Sequence, residues 1–198
     1  MADVILQGFR YDVKSSFMHG AADAPPAIRA VLDNGAGNFF TENMLDLKST
    51  HMLDKGDYTE LSYFDIEQIT LNNIIKGVPI ITLGGDHSIT FPVVKAIGEV
   101  YGKLDILHID AHTDLYDEFE GDKYSHACPF ARIMETCPVG RLVQVGIRSM
   151  NTHHRQQAEK FGVEVTLADE RAMSQKRSPF LTIFSLSAYA RELIDEGR

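Results

Sequence analysis

The chain has 198 residues, 44% hydrophobic and 24% charged, enough for one sizeable core and too few for two full domains. Its formal net charge is −9 and it has no Lys/Arg cluster to meet phosphates, which speaks against nucleic acid as a partner. No apolar run nears the roughly 20 residues that cross a bilayer, so no membrane span is expected either.

In chain order, Val4-Ile5-Leu6 reads as a short strand ending at Gly8. Ala24-Pro25-Pro26 opens a helix through Leu32, which Asp33-Asn34-Gly35 closes. Met44 to Leu47 reads as a further strand, followed by a polar connection. Phe64 to Ile75 carries an imperfect helical face and stops at Gly77. Val78 to Leu83 is an apolar run expected of a strand covered on both faces, and Phe91 to Ile97 begins a helix. Leu104 to Ile109 and Arg141 to Ile147 are two more strands. A polar helix from about Thr152 to Lys160, a short strand at Val163-Glu164-Val165 and a helix from Pro179 to Arg198 follow. Strands alternating with helices predict one α/β domain over 1–198 with a mainly parallel sheet, whose ligands gather at the carboxyl ends of the strands.

The two richest motifs fall at such ends. Gly84-Gly85-Asp86-His87-Ser88 follows one strand, and Asp110-Ala111-His112-Thr113-Asp114 follows another. Asp110, His112 and Asp114 occupy alternate positions, so they share a face if the strand continues through them. His87 sits at a second strand tip, within reach across neighbouring strands. Two His and two Asp form a mixed N/O donor set suited to Mn²⁺, Zn²⁺, Fe²⁺ or Ni²⁺, and bridging carboxylates suit a two-metal centre. His108 is set aside as a step out of register with the trio and is expected to be packed or supporting. His126, in Ser125-His126-Ala127-Cys128-Pro129-Phe130, follows an acidic loop and can shuttle a proton. His19, His51, His153 and His154 are expected at the surface. Cys128 and Cys137 are too few for a disulfide framework, and no secretory signal opens the chain, so a reducing cytoplasm is expected.

Together these motifs resemble the ureohydrolase family of arginases and agmatinases. The resemblance rests on GGDHS (84–88), DAHTD (110–114) and SHACPF (125–130), with LQGFRYD (6–12), APPAIRAVL (24–32) and VGIRS (145–149) beside them. The stretch DLYDEFEGDKYSHACPFARIME looks most like the agmatinase-related branch. The resemblance implies a three-layer α/β/α sandwich, and the intact protein is expected to form homo-oligomers. It implies two Mn²⁺ ions per subunit and hydrolysis of a small cationic guanidino substrate, agmatine or arginine, to urea and an amine. It places one ion on His87, Asp110 and Asp114 and the other on Asp110 and His112, with His126 as proton shuttle.

One family element has no match. A D-x-D-x-x-D-P strand supplies two further metal-binding aspartates, and Phe180 to Ser187 carries no carboxylate. The tail Ala190 to Arg198 is similar to the helix before that strand. The expectation is therefore a chain truncated before its second group of ligands and inactive by itself. Two further readings stay open: a non-catalytic remnant, and a hydrolase of another amidine such as guanidinobutyrate or formiminoglutamate.

Overall fold

The computed structural model describes residues 2–35 and 37–168. Eleven regular strands and helices alternate along them. They are β1 (Val4–Phe9), α1 (Ala24–Asp33), β2 (Met52–Tyr58), α2 (Asp65–Asn73), β3 (Ile80–Leu83), α3 (Thr90–Tyr101), β4 (Leu104–Ile109), α4 (Pro129–Thr136), β5 (Val139–Ile147), α5 (Thr152–Phe161) and β6 (Glu164–Leu167). The expected α/β class with parallel strands is what the chain forms. All pairings between strands are parallel, in two sheets ordered β2-β1-β3 and β4-β5-β6. No helix among the described residues is long and apolar enough to cross a membrane.

β1 is buried from Ile5 to Phe9, as a central strand covered on both faces must be. Its one polar side chain, Gln7, is fully buried and satisfied: its amide donates to Thr82 Oγ1 at 2.9 Å and accepts from Asn73 Nδ2 at 2.9 Å. The core then runs under both sheets, through Phe9, Ile66, Phe91, Leu115, Phe130 and Leu142. This shared core brings the tips of β3 and β4 to one place although the two strands lie in different sheets.

Several expectations need correction. The strand expected at 44–47 is an isolated bridge between Phe40 and Asp46 leading into a 3-10 turn at Leu47–Ser49. The strand lies instead at β2, in the stretch expected to be a polar connection. β2 lacks an apolar pattern because backbone pairing with β1 and the guanidinium of Arg29 hold it, the latter bonded to Asp54, Asp57 and the Gly56 carbonyl. β3 is not covered on both faces among the described residues, with Ile81 half exposed. His154 is buried rather than superficial, because it serves as the N3 residue of a capping box with Asn151. The helix expected over 179–198 lies outside the described residues.

Candidate metal centre

β3 ends at Leu83, and the chain turns through Gly84 and Gly85 into a 3-10 turn at His87–Ile89 that leads into α3. Asp86 caps that turn. Its carboxylate accepts from Ser88 N at 2.8 Å and from Lys14 N at 3.0 Å, tying the tip of β3 to the loop after β1. His87 is thereby aimed across to the second sheet. Its Nδ1 lies 3.0 Å from Thr90 Oγ1 and its Nε2 lies 3.2 Å from Asp114 Oδ2.

Asp110 follows β4 directly, and its backbone N–H still donates to Val145 O on β5. Its Oδ1 accepts the His112 backbone N–H at 2.9 Å. The strand ends at Ile109, so Asp114 does not reach the site by pleat alternation. It arrives through a turn in which its own φ is 49°, a left-handed conformation that Asp tolerates better than most residues. Phe130 N at the start of α4 then donates to Asp114 O at 3.1 Å and pins the turn from behind.

His87, Asp110 and Asp114 thus converge, and His108 joins them: each of the four offers a donor atom within 4.8 Å of the others. The out-of-register reading of His108 fails, because it stands two residues before Asp110 and shares its face. It is packed as expected, stacked on Phe130 at 3.9 Å between centroids, and its Nε2 also points at Asp110 Oδ2, 3.6 Å away. His112 stands beside the group and outside it. Its side chain is 64% exposed, with Nδ1 3.4 Å from Asp110 Oδ1. A cleft of about 460 Å³ opens next to the cluster, lined by Thr82, Asp86, His87, Thr90 and Asp110 among others.

His126 is held by the loop after β1. Its Nδ1 lies 2.9 Å from the Lys14 carbonyl and so donates to it, and its Nε2 lies 3.5 Å from Ser16 Oγ. The same Lys14 reaches Asp122 in the acidic loop with its Nζ at 2.6 Å. Nothing in the sequence singles out Lys14, which acts on Asp86 and His126 through its backbone and on Asp122 through its ammonium group. Cys128 is fully buried, and burial pushes its thiol up to about 12, which makes it a packed side chain and no nucleophile.

The electrostatics fit a cation. Burial raises Asp114 to about 7, with the neighbouring Asp110 charge adding to the effect. Asp110 itself stays below the usual carboxylate range. Burial works against this, and the His112 and Ala111 backbone N–H groups and the nearby imidazoles outweigh it. Burial first, then the adjacent His87, depresses His108 to about 4, and burial lowers His87 too, so both rings are neutral at pH 7. Among the described residues the buried Nε2 of His87 completes no hydrogen bond, although Asp114 Oδ2 lies 3.2 Å away. Two close carboxylates, one forced towards neutrality, and an orphan imidazole nitrogen are what a divalent ion would satisfy together.

The sign of the pH dependence follows. In the metal-free protein the raised Asp114 pKa contributes stability that is complete below its ordinary 3.8 and is lost as pH rises through about 7. The depressed His108 contributes the opposite way: its share is present above 6.5 and is lost as pH falls through about 4. A metal needs Asp114 ionised, so below pH 7 binding must displace its proton. Affinity is expected to drop by about tenfold per pH unit there, with about one proton released. Calorimetric titration of Mn²⁺ in buffers of different ionisation enthalpy checks this, and equal proton release at pH 6 and pH 8 would contradict it.

The class these observations define is a parallel α/β fold with a His/Asp cluster at its strand tips that could hold a cation. The arginase family model matches residues 2–181, and the chain belongs to the arginase family. Arginase 1, mitochondrial, of Arabidopsis thaliana is 45% identical over 177 residues, covering 82% of this chain and 52% of that protein. An N(1)-aminopropylagmatine ureohydrolase of Thermus thermophilus is 36% identical over 173 residues, 82% of this chain and 56% of its own. Among solved structures, the arginase of Medicago truncatula superposes with TM-score 0.75 at 39% identity, over 89% of this chain and 59% of that one. The chain therefore spans little more than half the length of these relatives.

Proposed function

We propose that the whole protein carrying these residues is a Mn²⁺-dependent ureohydrolase that cleaves a guanidino compound to urea and an amine. The observation that carries this reading is the meeting of His87 from one sheet with Asp110 and Asp114 from the other, beside an open cleft. His87, Asp110 and Asp114 would hold one ion, and Asp110 with the exposed His112 would hold part of a second. Bound metal would supply activated water at neutral pH and Lewis acidity towards the guanidinium.

The chain's own groups do the rest. The acidic stretch with Asp117, Glu118 and Glu120 and the net charge of −9 favour a cationic substrate. Water adds to the guanidino carbon, the carbon–nitrogen bond to the substrate chain breaks, and the leaving nitrogen takes a proton to depart as an amine. His126 is the proton carrier, because its Nδ1 is committed to the Lys14 carbonyl and Nε2 is left to exchange a proton. Arginine is the first substrate to test, since plant arginases are 42–45% identical to this chain. An agmatine-type amine is the second reading, favoured by the Thermus relative.

The test is urea release by the complete gene product with defined metals on arginine, agmatine and guanidinobutyrate, run beside the 198-residue chain. Full activity in the 198-residue chain would remove the need for the two further aspartates. His112→Ala is expected to reduce urea release sharply. Because the side chain is 64% exposed, the same change should move unfolding free energy by no more than about 0.5 kcal/mol. Unchanged urea release in that variant removes His112 from the centre.

A further inference from the structure

His108 lies among the four residues whose donor atoms converge, but its hydrogen bonds give it a different task from metal binding. β4 and β5 pair so that His108 stands directly opposite Gln144. Both side chains are buried, Gln144 completely. The Gln144 amide nitrogen donates to the Thr113 carbonyl at 2.7 Å, which fixes which end of the amide is nitrogen. Its second N–H points at His108 Nδ1, 3.1 Å away. Nδ1 must therefore accept, and a neutral imidazole that accepts at Nδ1 carries its proton at Nε2.

Among the described residues Nε2 is buried with no hydrogen-bond partner, and Asp110 Oδ2 lies 3.6 Å from it. The stacked Phe130 ring holds the imidazole plane in that aim. We propose that Gln144 sets the tautomer of His108 so that Nε2–H points at Asp110, making His108 a positioning residue for the shared carboxylate and not a metal ligand. The Asp110 carboxylate is then gripped at both oxygens, by His112 N–H on Oδ1 and by His108 on Oδ2. A carboxylate that serves two cations has to keep one orientation, and outer donors of this kind fix it. Distances slightly beyond hydrogen-bond length are common before the charged partner is in place. The inference rests on the metal-centre reading above.

The tautomer is read directly on the wild-type chain. Long-range ¹H–¹⁵N spectra of the metal-free protein should show His108 protonated at Nε2 with a bare Nδ1. Substitutions then separate orientation from ligation. His108→Gln puts an amide N–H near the Nε2 position, and His108→Asn puts its amide near Nδ1 and nothing opposite Asp110. Mn²⁺ affinity, followed by electron paramagnetic resonance, should stay within about threefold for His108→Gln and weaken roughly 10–100-fold for His108→Asn.

Equal, severe losses in both variants would make His108 a ligand and overturn the proposal. Unchanged affinity in both, with only a lower unfolding temperature, would reduce it to packing and overturn the proposal as well. An Nδ1–H tautomer in the wild type overturns it without any variant needing to fold. If wild-type protein binds no Mn²⁺ at all, the metal-centre reading fails, and the role of His108 with it. An inverted tautomer with Mn²⁺ binding intact defeats the positioning role alone.

Discussion

Asp110→Asn should abolish useful metal binding and, in the complete enzyme, lower urea release by about a thousandfold, the scale of losing several kcal/mol of metal-derived stabilisation. The substitution keeps shape and changes two things. It removes one of the two negative charges that make the cluster attractive to a cation. It also sets an amide NH₂ against a donor, because both oxygens of Asp110 face N–H groups, His112 N at 2.9 Å on one side and the His108 ring on the other. Whichever way the asparagine turns, one donor meets another. A second readout needs no metal. The Asp110 charge helps to raise Asp114, so Asp114 should titrate below about 7 in the variant. Calorimetry with Mn²⁺ and a carbon-detected titration of Asp114 check both effects. Near-normal Mn²⁺ affinity in Asp110→Asn would take the shared carboxylate out of the centre.

How much of this centre the sequence carries can be traced residue by residue. His87, Asp110 and Asp114 are legible because strand ends are marked by apolar runs stopping at short polar motifs, and parallel sheets collect ligands there. The reason for Asp114 is not legible. Simple alternation predicts its face, yet it arrives through a left-handed turn held by Phe130 N. His108 shows the limit of reading one strand at a time. Its parity with Asp110 is in the sequence, but the residue that decides its proton, Gln144, is set by the β4–β5 register, and register is a property of two strands. Lys14 is invisible for a related reason: it acts on Asp86 and His126 through its backbone, which every residue possesses. β2 is missed because apolar alternation is the strand signal, and a strand held by β1 and by Arg29 does not need it. The division into two sheets, with β3 and β4 unpaired to each other, is a long-range arrangement that no local pattern encodes.

Gly85→Ala should damage the fold severely, while Gly84→Ala one position earlier should be tolerated. A Cβ on Gly84 meets only the side-chain end of Ile89, which can rotate away. A Cβ on Gly85 meets the backbone of Tyr11: it overlaps the carbonyl oxygen and comes within 2.8 Å of the carbonyl carbon and 2.9 Å of the nitrogen. Backbone cannot rotate aside. The tips of β1 and β3 must separate, which strains Gly85 N to Phe9 O at 3.1 Å and Asp86 N to Tyr11 O at 2.8 Å. Overpacking with loss of a buried hydrogen bond costs about 3 kcal/mol, a large share of a domain's stability, whereas Gly84→Ala should cost less than about 1 kcal/mol. The consequence reaches the centre, because Asp86 caps the turn that aims His87 and also binds Lys14 N, the residue whose carbonyl fixes His126. Gly85→Ala should therefore weaken Mn²⁺ binding even under conditions where the protein remains folded. Urea-unfolding midpoints for the two variants, measured with and without Mn²⁺, give the comparison. Equal midpoints would mean that the β1–β3 contact at Tyr11 does not set the position of His87.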